Sequence, residues 1–378
     1  MTVAGMLLVN DPGNWGHIFP PLEHAAWNGW TPTDLVFPFF LFIVGITTHL
    51  SFAARRARGD DDAAIRRQLL KRAALIVLFG LLLNWFPFYS WDPAFVGNRF
   101  TDRLLHVRIP GILQRIGIAY GVAALIVLRR GVRTQAIVAA SILVGYWVLM
   151  TLVPVPGSGL PGWLVLNQPS ATLAAWFDRL LLDWGPYGNH IWAETRTWDP
   201  EGPLSTVPAV ATVLLGALAG RWIGSSRSLA ERLNGLFAAG AIAMAVGLVW
   251  NWSFPINKNL WTSSFVVFTA GMAAVTLATC MWVIDERGVR GWTRPFVIYG
   301  VNPFLAFLGS GALARLIYSV ITIPVGGTRV SLERVIAGTL FESWLPPRLA
   351  SLAFAVSFVL VWLGVLTVLY RRNIILKV

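Results

Sequence analysis

The sequence predicts an all-α fold, a polytopic integral membrane helix bundle of about ten spans. Three observations predict it. Of the 378 residues, 56% are hydrophobic and only 13% are charged, where soluble domains carry about 25% charged residues. Several apolar runs approach the ~20 residues needed to cross a bilayer. Every second interval between those runs is rich in arginine.

The spans are read at 1–10, 33–54, 70–89, 110–128, 134–153, 205–223, 234–251, 261–284, 296–320 and 349–370. The first, MTVAGMLLVN, is too short to cross and lacks the basic n-region of a signal peptide; it is expected to be the truncated part of a longer helix. Arg55, Arg56, Arg58, Arg66, Arg67, Lys71 and Arg72 follow the second span. Arg129, Arg130 and Arg133 follow the fourth, Arg221, Arg227 and Arg232 the sixth, and Arg287, Arg290 and Arg294 the eighth, while Arg371, Arg372 and Lys377 lie in the tail. Positive residues collect in cytoplasmic loops, so these intervals and the C-terminus are expected on the cytoplasmic side. The opening loop 11–32 has no Lys or Arg, and the long loop 154–204 has only Arg179 and Arg196. Both are expected to be extracytoplasmic, within a single domain of 1–378. A loop as long as 154–204 is usually functional. In GALAG, 216–220, small residues four apart suit close helix packing.

Composition also excludes classes. The net charge of +12 is accounted for by the loop arginines, and no basic–aromatic or zinc-finger pattern points to nucleic acid. A lone cysteine, Cys280, rules out an intrachain disulfide and a cysteine metal cluster. No phosphate loop, dinucleotide fingerprint, zinc-protease motif or nucleophile elbow is present.

Polar residues inside spans are costly and mark candidate sites: Asn10, Asp34, Asn84, Gln114, Arg115, Asn251, Asn302 and Arg315. TPTD places Thr31 at N-cap, Pro32 at N1 and Asp34 at N3, so Asp34 reads as a capping residue, a role compatible with support of a site. His24 precedes that cap. It reads either as a loop histidine bonded to backbone or as a general base, since neutral imidazole accepts a proton near pH 7. His17 lies seven residues upstream, but no further ligand spacing supports a metal. In VRIPGILQRIGIAYG, Arg108 sits just outside the fourth span, with Gln114 and Arg115 inside it. Arg115 is expected to pair with Asp34 or another carboxylate, or with an anionic ligand. FPINKNLW offers Asn257, Lys258 and Asn259 as donors, or simply a polar turn before an interfacial tryptophan. Asp199 and Glu201 of WDPEG either bind a polar substrate or form a turn. His49, His106 and His190 have no partner that spacing identifies.

Taken together, LLVN, HAAWNGWTPTDLVFPFFLFIVG, VRIPGILQRIGIAY, LVPVPG, DRLLL, WDPEG and PINKNLW, in that order from Leu7 to Trp261, resemble the heparan-alpha-glucosaminide N-acetyltransferase family and its bacterial homologues. The resemblance implies a transmembrane acetyltransferase that takes acetyl from cytosolic acetyl-CoA to the amine of a glucosamine-type sugar on the extracytoplasmic side. It implies His24 as the catalytic histidine and Asn10 as the family's asparagine. On that basis Asp34, Arg108, Gln114, Arg115, Asp199, Glu201, Asn257, Lys258, Asn259 and Asn302 are candidate binding residues, around a polar cavity between the second, fourth and eighth spans. Acetyl-CoA is the implied co-substrate, without a metal. The implied partners are an amino-sugar or glycan acceptor and the lipid bilayer, with room for a homodimer and no nucleic acid. The implied location is a bacterial inner membrane. The alternative is a transporter or exporter of a polar solute, which polar midplane residues and kinked helices also suit. Paired repeats, common in transporters, are not visible.

Overall fold

Cap residues set where the helices begin in the computed structural model, which describes residues 1–90, 97–184 and 189–376. Helix α1 covers Thr2–Asn10, and α2, Val36–Ala57, is entered through a tight turn at Pro32–Leu35. Asp61 opens α3, Asp62–Trp85, by accepting from the Ala64 amide at 2.7 Å. Then come α4, Arg99–Leu105, α5, Ile112–Arg129, and α6, Val132–Leu152. The long interval that follows holds two short helices, α7, Gly162–Val165, and α8, Leu173–Leu182.

Helix α9, Pro203–Ile223, starts on a proline, whose missing N–H is no loss in a first turn. A capping box of Ser228 and Glu231 opens α10, Leu229–Trp250. Helix α11, Ser263–Met281, runs on as a wider turn to Glu286. The chain continues through α12, Arg294–Val301, and α13, Pro303–Arg315. A small antiparallel hairpin follows, β1, Thr322–Val325, with β2, Thr328–Ser331, and pairs Thr322 with Ser331. Its two-residue turn is Gly326–Gly327, both at positive φ (57° and 84°), the backbone that a tight hairpin demands and glycine supplies. Helices α14, Leu332–Ala337, and α15, Pro347–Arg371, complete the order.

Among the described residues, nine helical segments are long and apolar enough to cross a membrane. The fold is an all-α polytopic membrane bundle. Two expected spans are redrawn. The third begins at Asp62 rather than 70, because α2 and α3 extend as helix beyond their apolar parts, leaving only a tight turn between them. The basic stretch there is mostly helix, tied by ion pairs of Arg55 with Asp60 at 2.6 Å and Arg56 with Asp62 at 3.0 Å. The span read at 296–320 breaks at Asn302, where Pro303 cannot continue the ladder. Arg371 and Arg372 lie at the end of α15, whereas Lys377 lies outside the described residues.

Helices α5 and α9 form the centre, with 67% and 72% of their apolar windows buried, against 22% for α10. The GALAG segment explains the tight contact of α9 with α2. A side chain at Gly216 would put its Cβ 2.0 Å from the Phe42 carbonyl, and one at Gly45 would meet the Val213 carbonyl at 2.0 Å. Only glycine at both positions lets the two backbones touch, and the dispersion contact replaces the hydrophobic drive that a membrane lacks.

Candidate functional site

The ends of α1, α2 and α5 meet the turns before α9 and α11 at the face of the bundle opposite the arginine-rich turns. They enclose a cavity of about 240 Å³. Its walls carry Asn10 from α1, His24 from the opening loop, Arg108 and Arg115 around the start of α5, Glu201 from the long loop, and Lys258 and Asn259 from the turn before α11.

Asp34 organises one wall, and its two oxygens divide the work. Oδ2 accepts from the Thr31 amide and the Ala25 amide, each at 3.0 Å, and so completes the capping box. Oδ1 lies 2.7 Å from His24 Nδ1. Asp34 is 1% exposed whereas the His24 ring is 44% exposed, so a fixed carboxylate holds a ring that is open on its other side. A carboxylate only accepts, so this contact keeps the proton on Nδ1 and makes Nε2 the accepting nitrogen of the ring, with Lys258 Nζ within reach of it. Lys258 Nζ stands 2.9 Å from Nδ1, 3.2 Å from Nε2 and 3.4 Å from Asp34 Oδ1. Burial draws the Lys258 ammonium below the usual lysine range, against the opposing pull of Asp34 and Glu201.

The facing wall is tied by arginines. Arg108 grips Asp199 with two hydrogen bonds, 2.9 and 2.6 Å, reaches Glu201 at 2.5 Å, and lies over the Trp192 ring. Burial opposes the Glu201 charge, yet Arg108, Arg115 and Lys258 hold its carboxyl below the usual range. Arg115, 1% exposed, forms no ion pair among the described residues. It donates to the Pro200 carbonyl at 2.7 Å, Ser205 Oγ at 2.5 Å and Thr206 Oγ1 at 3.3 Å, and its guanidinium stands 4.9 Å over the Trp261 ring. The expected pairing with Asp34 is therefore corrected. Both Asp34 oxygens are already taken by His24 and the cap, and Asp199 and Glu201 belong to Arg108. A desolvated guanidinium over tryptophan gains about 2 kcal/mol or more, which helps Arg115 to remain buried without a carboxylate.

Asp178, on α8, braces the same loop from behind. Its Oδ2 accepts from the Asp199 amide at 2.9 Å, while Oδ1 has no partner among the described residues. Burial pushes this carboxyl up to about 7. Nearby, Trp27 donates to the Leu166 carbonyl at 2.8 Å and meets Trp198 edge-on, so the long loop docks on the opening loop.

The structure brings together His24, Asn10, Asp34, Arg108, Arg115, Asp199, Glu201, Lys258 and Asn259. Three candidates fall elsewhere. Asn257 is fully buried and is spent on its turn, accepting from the Leu260 amide at 2.8 Å and donating to Asn28 at 3.2 Å. Asn302 holds the tail, donating to the Ile374 carbonyl at 3.0 Å and accepting from the Leu376 amide at 2.9 Å. Gln114 lines an adjoining cavity. Sequence reasoning missed Trp192, which presents its face to Arg108; the only signal for it was the abundance of tryptophan, 19 in all. Trp261 was expected as an interfacial anchor, but it is fully buried under the Arg115 guanidinium.

Residues 8–180 match the family model described as heparan-alpha-glucosaminide N-acetyltransferase, catalytic. The human heparan-alpha-glucosaminide N-acetyltransferase is 30% identical over 351 residues, covering 80% of this chain and 50% of the relative. The mouse protein of the same name is 29% identical over 359 residues, covering 82% and 51%. The chain thus spans about half the length of the curated relatives it matches. The chain is similar to the heparan-alpha-glucosaminide N-acetyltransferase family, by the family model over residues 8–180 and by the two relatives along most of its own length.

Proposed function

We propose that this chain is a membrane acetyltransferase that moves acetyl from acetyl-CoA, supplied on the cytoplasmic side, to the amine of a glucosamine-type sugar on the other side. The arginine-rich turns would face the cytoplasm with the C-terminus, in a bacterial inner membrane, and the His24 cavity would open to the opposite face. The names of the two relatives and the family model support the reaction class. The observation that carries the reading is the His24–Asp34 pair beside Asn10 and Lys258 in one cavity.

In this reading the neutral sugar amine attacks the thioester carbonyl carbon. A C–N bond forms, and charge gathers on the carbonyl oxygen, where the Asn10 amide and the Lys258 ammonium donate. Such preorganised donors contribute several kcal/mol each. As the intermediate collapses the C–S bond breaks, and coenzyme A leaves as thiolate. His24 Nε2 takes the proton that the nitrogen sheds and passes it to the thiolate. Asp34 keeps the ring in the tautomer that can accept, as an orienting carboxylate does beside a catalytic histidine. Asn257 and Asn302 have no part in this scheme, because their amides are committed elsewhere.

The test is acetyl transfer to glucosamine by the purified chain in detergent. His24→Ala should lower kcat by about 10²–10⁴-fold, the usual contribution of a positioned base. Full turnover by that variant would refute the assignment. Incubation with labelled acetyl-CoA and no sugar separates the routes: label trapped on His24 would replace direct attack by an acetyl-histidine intermediate.

A further inference from the structure

Away from the His24 site, a cavity of about 430 Å³ lies between α2, α9, α10 and α11. It is larger than the His24 cavity, of about 240 Å³, and the two walls have no residue in common. Its lining is apolar apart from the Trp222 N–H, which is spent on the Arg232 carbonyl at 3.0 Å. Phe42, Gly240, Gly271 and Ala274 form a buried floor, whereas Ala239 at the rim is exposed and Leu218 and Ala243 are half-buried.

Glycine draws α10 onto α11: a Cβ on Gly271 would meet the Gly240 carbonyl at 2.6 Å. Towards α9 the gap is bridged at the arginine-rich end by the Trp222 ring, which lies so close over Gly235 that a Cβ there would stand 2.4 Å from it. On α10 the lining runs from Gly235 to Ala243, about 12 Å at 1.5 Å per residue. That is close to half of the ~30 Å hydrocarbon core, the depth that the acyl chains of one leaflet fill. A helix of a second copy would cross the full thickness.

Two guanidiniums stand at the closed end. Arg227 lies 4.6 Å over the Trp222 ring. Arg232 donates to the Ile223 carbonyl at 2.9 Å, while its buried Nε finds no acceptor among the described residues. Among those residues no carboxylate lies within 4.0 Å of either arginine. The acid of this turn, Glu231, is committed to the Ser228 amide and hydroxyl at 3.0 and 2.9 Å. A guanidinium stacked on a ring still offers its edge N–H groups to phosphate. An apolar slot one leaflet deep, ending at two such groups, matches a molecule with a hydrocarbon tail and an anionic head.

We propose that this cavity binds an acyl chain of an anionic phospholipid from the leaflet on the arginine-rich side, with Arg227 and Arg232 holding the headgroup phosphate. A zwitterionic phospholipid brings the same tail without net charge, so the two arginines set the preference between them. The site is independent of the reaction proposed for the His24 cavity.

The purified full chain, stripped of lipid in detergent, is titrated with phosphatidylglycerol and with phosphatidylcholine of matched chains, and bound lipid is counted by native mass spectrometry. Phosphatidylglycerol should bind roughly tenfold or more tighter, as two arginines at one anionic headgroup imply. Arg227→Gln with Arg232→Gln should bring the two lipids level. Arg227→Gln alone, at an exposed position that leaves the Arg232 bond to Ile223 intact, should remove part of the preference. Ala239→Leu with Ala243→Leu, which fills the slot from its rim, should weaken both lipids alike. Equal binding of the two lipids by the unaltered chain overturns the proposal, as does a preference that survives loss of both arginines. A filled chain that binds lipid as the parent does also overturns it, and if that chain has lost self-association the face belongs to a second copy.

Discussion

His24 Nδ1 and Asp34 Oδ1 stand 2.7 Å apart, while the other Asp34 oxygen caps the turn that leads into α2. One buried carboxylate thus fixes both the start of a membrane helix and the orientation of an exposed imidazole. The two roles are separable by mutation, because an amide still accepts from backbone N–H groups through its oxygen but no longer carries charge for the histidine.

Asp34→Asn should therefore keep the fold and lose the activity. The cap weakens by about 1 kcal/mol at most, and kcat for acetyl transfer falls by about 10²-fold or more through loss of the correct tautomer. Thermal midpoint and kcat are measured on the same preparation. A large drop in midpoint with kcat intact would place Asp34 in capping alone.

Lys258→Met tests the ammonium beside Nε2. If Lys258 donates to the developing oxyanion, kcat should fall by about 10²-fold with little change in the KM for glucosamine. A rise in KM at unchanged kcat would make Lys258 a binding group for the ground state instead.

Arg108→Gln leaves Asp199 and Glu201 as buried carboxylates without their cation. Breaking a buried pair on one side costs about 3–5 kcal/mol, and the cost should appear locally, where WDPEG is held. Hydrogen exchange should rise across 189–202 while α9 stays protected. Unchanged exchange there would show that Arg115, through the Pro200 carbonyl, and Asp178, through the Asp199 amide, hold the loop without Arg108.

Asp178 predicts an unusual pH response. Its folded carboxyl titrates at about 7, above the ~4 of an unfolded aspartate. The folded state therefore binds the proton more tightly, and the contribution of Asp178 is fully present below about pH 4 and fades as pH rises towards 7. Asp178→Asn should flatten the loss of thermal midpoint between about pH 4 and 7, the window between the unfolded and folded values. A variant whose midpoint follows the parent curve throughout would show that Asp178 keeps its charge in the folded protein.

Asn302→Ala should free the tail at Ile374 and Leu376 and leave acetyl transfer unaltered, since neither the His24 cavity nor the adjoining one includes it. Cleavage of the tail by added protease should speed up. A loss of kcat in this variant would return Asn302 to the site.

The sequence by itself determined the membrane bundle, the helix starts with strong caps and the small-residue contact of GALAG. These features follow from composition and from spacings of a few residues, which act locally whatever the rest of the chain does. Asp34 shows the limit. TPTD announces a cap, and its neighbour in the site, His24, was reached through family resemblance, because the other oxygen of the carboxylate is invisible in a spacing. Only the tertiary structure decided which charges meet. Arg108 lies 91 residues from Asp199 and takes that carboxylate and Glu201, while His24 and the cap hold Asp34, the partner expected for Arg115, so Arg115 turns to hydroxyls and the Trp261 face. Asn257 and Asn302 carry the same donors as Asn10, yet the Asn28 side chain and the Ile374 carbonyl consume theirs. In a low-dielectric interior each polar group takes the partner that geometry offers, and that competition is settled across the whole bundle rather than along the chain.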